Sequence, residues 1–255
     1  MPDTSTPRVH RVEGSLFPVN AYIVETRDAV VIVDAMLGVT DGRALRARAD
    51  ALGKPIAAVV VTHAHPDHYG GIVEIVADDD APVIATAGVD AVIRRDDAVK
   101  EAILRPMFGD EWPRERVFPN RTVSDGETVE LGGVTLTVLD LGPGESPHDS
   151  IWLLGGDRET VFLGDQVYGG KHAYLADGYY VEWLANLERL AGELPVEATL
   201  HIGHGGPADV GQFGRQRAYI ETFVDSVSSA DWSQPAEAKT GVVRTMKTLL
   251  PTDEL

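Results

Sequence analysis

At 255 residues, 44% of them hydrophobic, the chain is long enough to bury one large core and has the ordinary composition of a globular protein. Its 40 acidic residues against 22 basic ones give a formal net charge of −18, which disfavours a nucleic-acid substrate because phosphate tracking needs a basic surface. It has no cysteine, so disulfides and thiolate ligands are excluded, and no apolar stretch approaches the length needed to span a bilayer.

In chain order, the N-terminal stretch Met1-Pro2-Asp3-Thr4-Ser5-Thr6-Pro7-Arg8 lacks the apolar core of a secretory signal, so a cytoplasmic location is expected. Residues 20–25 and 29–34 read as paired strands across the turn 26–28. Residues 40–52 read as an amphipathic helix ending at Gly53, with Arg43, Arg46 and Arg48 on its charged face. The apolar run 56–61 follows, then a strand at 82–86 and a largely helical stretch at 87–104. The segment 105–120, with three prolines and Met107, Phe108, Trp112 and Phe118, reads either as a lid or pocket insertion or as a connection anchored in the core. Further strands are expected at 122–131, 134–141, 151–154 and 160–163. A helix follows over 181–190, where Trp183, Leu184, Leu187 and Leu190 share a face, and two helices between 212 and 250 close the chain. Periodicity alone gives an α/β protein, read here as one domain over residues 1–255.

The run Thr62-His63-Ala64-His65-Pro66-Asp67-His68 carries the chemistry. Three imidazoles and a carboxylate fall within six positions directly after an apolar run, and these are ligands that zinc and similar divalent ions favour. In extended geometry His63 and His65 point the same way, while Asp67 and His68 follow as the chain turns into a helix and can face a second point. Other candidates also sit at the ends of apolar runs, flanked by glycine or proline: His148 in Gly142-Pro143-Gly144-Glu145-Ser146-Pro147-His148, Asp165 after Leu163-Gly164, and His204 before Gly205-Gly206. Strand ends are where α/β proteins place their chemistry.

With these four segments in this order the sequence resembles the metallo-β-lactamase-fold superfamily over roughly residues 10–210. The resemblance implies a four-layer αββα sandwich with a dinuclear metal site at one edge between the sheets. It implies that His63, His65 and His148 hold one divalent ion, that Asp67, His68 and His204 hold the other, and that Asp165 bridges them. Zinc is the first expectation, with iron, manganese or cobalt also suited to this ligand set. Two such ions would present a bridging hydroxide to the carbonyl of a small-molecule substrate, with Asp67 able to pass a proton to the leaving group. Gly-x-Ser-x-Gly is absent, and no serine or cysteine nucleophile is required.

For the substrate, Tyr168 stands three residues after Asp165, a spacing shared with lactonases of the superfamily, where the phenol donates to the substrate oxygen. A lactone, an N-acyl homoserine lactone among them, is therefore the first expectation. A glyoxalase-II-like thioesterase and a β-lactamase-like amide hydrolase are the alternatives, and a non-enzymatic metal-binding or sensing protein is the alternative of a different class. Asp34, at the end of an early strand, is a candidate to hydrogen-bond a ligand imidazole. His201 reads as a buried strand histidine, and Lys171 and His172 as loop residues. No membrane partner is expected, and the oligomeric state is left open.

Overall fold

The computed structural model describes residues 6–76, 80–156 and 158–252. Its strands grow out of the alternating and continuous apolar runs. The first sheet contains β1 (Arg8–Glu13), β2 (Asn20–Glu25), β3 (Val30–Val33), β4 (Ile56–Val60), β5 (Val83–Thr86) and β6 (Arg121–Val123), side by side in sequence order. The second contains β7 (Thr128–Leu131), β8 (Val134–Gly142), β9 (Asp149–Leu154), β10 (Thr160–Gly164) and β11 (Thr199–Ile202), in the order β11-β10-β9-β8-β7. Helices α1 (Val39–Asp50), α2 (Pro66–Tyr69), α3 (Ile72–Val76) and α4 (Ala87–Phe108) belong to the first half. Helices α5 (Tyr180–Glu193), α6 (Gly211–Ser228) and α7 (Pro235–Leu249) belong to the second. None of the described helices is long and apolar enough to cross a membrane.

The period of two along each strand assigns the layers. Val31, Val33, Ala58 and Val60 turn inward and meet Val129, Leu136, Val138, Trp152 and Phe162 of the second sheet. Their neighbours Val30, Ile32 and Val59 turn outward and pack with Leu45, Ile72, Ile75, Val89 and Ile93 of the first helical layer. On the far side, Ile151, Leu153, Val161 and Leu163 pack with Trp183, Leu187, Phe213 and Ile220. The result is the expected αββα sandwich. Because both faces of each central sheet are covered, β3 and the stretches Ala21-Tyr22-Ile23-Val24 of β2 and Ile151-Trp152-Leu153-Leu154 of β9 read as continuous hydrophobic runs.

Strands β3 to β6 pair in parallel, as do β10 and β11. Parallel pairing needs crossover connections and so leaves the carboxyl ends of neighbouring strands on one edge. The two sheets are tied together at that edge. Ser150 N and Oγ donate to the Thr62 carbonyl at 2.9 and 2.7 Å, and Trp152 Nε1 donates to the Val61 carbonyl at 3.2 Å.

The structure departs from the sequence reading in three places. The single strand expected over 122–131 is two short strands in different sheets, separated by a turn in which Gly126 has φ of +72°. A side chain would be strained there. β1 was not among the expected strands, since only Val9 and Val12 of its six residues are apolar; it is an edge strand paired only with β2. Helix α4 continues through Pro106 to Phe108. Segment 105–120 then packs on the first-half core through Trp112, which is fully buried beside Tyr69 and donates from Nε1 to Glu101 at 2.9 Å.

Arg116 lies 5.5 Å from the Trp112 ring centroid, so this anchor couples packing to a cation–π contact. Trp112→Ala is expected to destabilise the fold by about 3–5 kcal/mol through the cavity it leaves, read as a lowered urea midpoint with an unchanged slope.

Candidate metal centre

β4 ends at Val60, and Val61 and Thr62 carry the chain to the rim, where His63 and His65 follow and α2 opens with Pro66 at its first turn. The structure gathers six of the seven nominated ligands and adds one. His63, His65, Glu145 and Asp165 form one group, and Asp67, His68 and His204 another, each with candidate ligand atoms within 4.8 Å of one another. Asp165, just past the end of β10, faces both: its Oδ1 is 3.3 Å from His68 Nε2, and its Oδ2 is 3.1 Å from His204 Nε2 and 4.0 Å from His63 Nε2. Other separations are 2.9 Å for His65 Nδ1 to Glu145 Oε2, 3.5 Å for His63 Nε2 to the same oxygen, and 3.2 Å for His204 Nε2 to Asp67 Oδ2. Ligands held tetrahedrally at zinc bond lengths stand about 3.3 Å apart, so these spacings bracket that of a closed coordination shell.

The imidazoles are oriented for the task from behind. His68 Nδ1 lies 2.7 Å from Asp34 Oδ2, His65 Nε2 lies 3.0 Å from Asp177 Oδ2, and His204 Nδ1 lies 2.8 Å from the Pro18 carbonyl. A carboxylate or carbonyl only accepts, so each of these ring nitrogens carries the proton. Thr62 Oγ1 donates to Asp34 Oδ2 at 2.8 Å and must therefore accept from His63 Nδ1 at 3.0 Å. In the neutral rings every second nitrogen then turns a lone pair into the cluster. Buried lone pairs facing buried carboxylate oxygens repel unless a cation lies between them. His63 Nε2, His68 Nε2, Glu145 Oε2 and Asp165 Oδ1 are all buried without a hydrogen-bond partner. The donor set and its orphaned atoms suit two divalent cations, with the outer carboxylates fixing tautomer and ring orientation.

The electrostatics agree. Burial opposes the charged form of His65, yet Glu145 and Asp177 outweigh it and raise its pKa well above the ordinary value. Burial likewise opposes charge on His68 and His204, but Asp165 acts on both, joined by Asp34 and Asp67, so both are raised, His204 to about 10. Glu145 is pushed up to about 7 by burial, only partly relieved by His65. His63 is lowered by burial and by the neighbouring His68. The same carboxylates that draw protons onto these rings would draw divalent cations.

His148 is not brought to the cluster. Asp149 accepts from the backbone N–H of Glu145 at 2.7 Å and of Ser146 at 3.2 Å, from the Ser146 hydroxyl, and from Gln166 Nε2 at 2.8 Å. That turn aims Glu145 inward, 2% exposed, and sends His148 the other way. Its ring lies against Gly88, where any Cβ would meet it at 2.1 Å, and its Nε2 pairs with Asp140 at 2.7 Å. Glu145 therefore stands where His148 was expected. A carboxylate is as good a ligand as an imidazole, and Pro143-Gly144-Glu145-Ser146-Pro147 carries the same flanking glycine and prolines, so the signal was present but outweighed by the histidine three residues on. Asp177, 112 residues beyond its partner His65, had no local signal.

The remaining candidates fall into place. Asp34 hydrogen-bonds His68 directly, as expected, and His63 through Thr62, from a backbone φ of +59°, a left-handed conformation that Asp adopts more readily than most residues. Tyr168 is buried, its hydroxyl 2.9 Å from Glu145 Oε1 and 3.0 Å from Asp165 Oδ2, its ring stacked on His204 at 5.2 Å. His201 is a strand histidine stacked on Phe162, its pKa lowered to about 4 by burial. His172 turns to Tyr219 of α6. Gly203 permits the closest approach, since a Cβ there would fall 1.8 Å from Asp165 Oδ1.

Residues 14–222 match the family profile of the metallo-beta-lactamase superfamily. The chain belongs to that superfamily of metal-dependent hydrolases. Among curated relatives, a hydroxyacylglutathione hydrolase from Methylobacillus flagellatus is 28% identical over 157 residues, 61% of this chain and 51% of its own. The uncharacterized protein YobT of Bacillus subtilis is 27% identical over 206 residues, 75% of this chain and 84% of its own. The chain spans about half the length of the first of these. A metallo-beta-lactamase family protein from Thermus thermophilus shares the fold with a TM-score of 0.66 and 24% identity, over 96% of this chain and 91% of that one.

Two outcomes follow from the turn at Asp149. Glu145→Ala is expected to weaken zinc binding at one site about 10–100-fold, whereas His148→Ala retains two zinc ions per chain, both read by chelator competition and elemental analysis. Separately, the pKa of His148 is raised by its bond to Asp140, and that of Asp140 is lowered, since the bond and charge of His148 and the bond from the Gly142 N–H together outweigh its burial. The histidine's contribution to stability is full below its unfolded value of about 6.5 and is lost as pH rises through the raised one. His148→Asn should therefore cost about 0.5–1 kcal/mol at pH 6 and less at pH 9 in urea titrations.

Proposed function

We propose that the chain hydrolyses carboxylic ester bonds of a small molecule, with lactones as the first class of substrate. The observation that carries the reading is the convergence of lone pairs and carboxylate oxygens from both halves on one buried point, with the Tyr168 hydroxyl beside them. Divalent ions held there would supply a low-pKa water and polarise a carbonyl oxygen. His63, His65, Glu145 and Asp165 would hold one, and Asp67, His68, His204 and Asp165 the other.

The chain's own groups then do the following. Burial and the nearby Asp165 and Glu145 charges hold the Tyr168 phenol well above its ordinary pKa, so it stays a donor. It has one proton and two carboxylate neighbours. A substrate oxygen entering between Glu145 and Asp165 can take that hydrogen bond as negative charge develops on it. Asp67 is buried, but His68 and His204 keep its carboxyl below the usual range. It therefore stands as a carboxylate, which takes a proton from the attacking water and passes it to the departing alkoxide as the carbonyl carbon–oxygen bond breaks. Water and ester are consumed, and one carboxylic acid and one alcohol form.

A thioester is the second reading, favoured by the likeness to hydroxyacylglutathione hydrolases. The panel that separates them is acid release at constant pH from γ- and δ-lactones, N-acyl homoserine lactones, a thioester and a β-lactam. Turnover on lactones is expected, falling about 10²-fold or more in Asp165→Asn. In Tyr168→Phe, kcat should fall about 10²-fold with metal content unchanged. Turnover confined to the thioester or β-lactam would displace the lactone reading, and metal binding with no turnover on any substrate would favour the non-enzymatic one.

A further inference from the structure

A cavity of about 200 Å³ opens beside His65, lined by that ring together with Val92, Arg95, Lys100, Pro147 and Tyr179 among others. It is small against sites for drug-sized ligands and suits a short chain. Its walls combine apolar surface with charge, and the charges are unequally engaged. Arg95 is tied to Asp96 by two hydrogen bonds of 2.7 Å, so that pair is internally neutralised. Asp177 has its Oδ2 on His65 Nε2 at 3.0 Å. Lys100, partly buried on α4, makes no hydrogen bond or ion pair within 4.0 Å to any described residue, although its charge reaches both Asp96 and Asp177.

This ammonium lies in a cavity wall of a molecule whose acidic residues outnumber its basic ones 40 to 22. The overall field repels anions, so an anionic substrate needs a local cation to be held. The metal cluster contributes little towards that, because three carboxylates already face it.

We propose that this cavity is a binding subsite for a carboxylate carried on the acyl portion of the substrate, with Lys100 as the partner of that carboxylate and Val92, Pro147 and Tyr179 packing its short methylene chain. The assignment rests on the esterase reading for the bond that is cleaved. It does not rest on it for the binding of the carboxylate. Arg95 shares the wall but is engaged by Asp96, which leaves Lys100 as the cation open to the carboxylate.

The test compares two 4-nitrophenyl esters with the same six-carbon acyl chain, the neutral hexanoate and the mono-adipate, on zinc-loaded wild type and Lys100→Met. In Lys100→Met the ratio of kcat/KM for adipate over hexanoate should fall about tenfold, and Lys100→Arg should restore most of it. A ratio unchanged by Lys100→Met overturns the subsite. Free adipate binding, measured by calorimetry on the same zinc-loaded proteins, supplies a readout independent of turnover. A Kd raised about tenfold in Lys100→Met supports the subsite even if neither ester is cleaved, in which case it is the esterase reading that fails. Equal Kd values overturn the subsite.

Discussion

The constraint on which the rest depends is the burial of seven ionisable side chains at one point between two sheets. His63, His65, Asp67, His68, Glu145, Asp165 and His204 cannot all be withdrawn from water in their unpaired forms, because each isolated charge or unsatisfied lone pair carries a penalty of several kcal/mol. Either protons or cations must supply the compensating charge. The raised His65, His68 and His204 are the proton solution, and the tautomers fixed by Asp34, Asp177, Thr62 and Pro18 point to the cation solution.

Both halves of the fold meet at that point because of how their strands end. Parallel pairing of β4 with β3 and β5, and of β10 with β11, brings carboxyl ends to one rim. The rim is then locked across the halves. Asn20 donates from Nδ2 to the carbonyls of Ile202 and Gly205 at 2.8 and 2.7 Å, and Tyr22 donates to Ile202 at 2.6 Å. First-sheet residues therefore hold the loop that carries His204. The glycine at 203 lets that loop sit against Asp165 with no side chain between.

Most of this was legible in the sequence, for identifiable reasons. A strand-ending cluster such as 63–68 is local, so its geometry follows from the alternation of an extended chain and the turn into a helix. Central strands such as β3 and β4 were legible because burial on both faces leaves them wholly apolar. What was not legible depended on turns and on contacts between distant segments. Whether His148 or Glu145 enters the site is decided by the hydrogen bonds that Asp149 accepts from Glu145, Ser146 and Gln166, and nothing in the spacing reveals which way such a turn faces. The same holds for Asp177, which reaches His65 from the other half, and for β1, whose polar residues are explained only by its place at a sheet edge.

The substitution of a carboxylate for an imidazole changes what the site can recognise. Two divalent cations would bring four positive charges, and with Glu145 in place of His148 three carboxylates would oppose them rather than two. The centre is left with less field to attract an anionic substrate, in a chain whose overall charge already repels one. Recognition of charge must then come from outside the centre, where the dielectric is higher and an individual cation acts only over roughly a Debye length of 8 Å. Lys100 lies in the wall of a cavity that reaches His65. A carboxylate bound there is held apart from the carbonyl to be cleaved, so the two ends of one substrate answer to two separate sources of positive charge, and the length of chain between them sets the specificity.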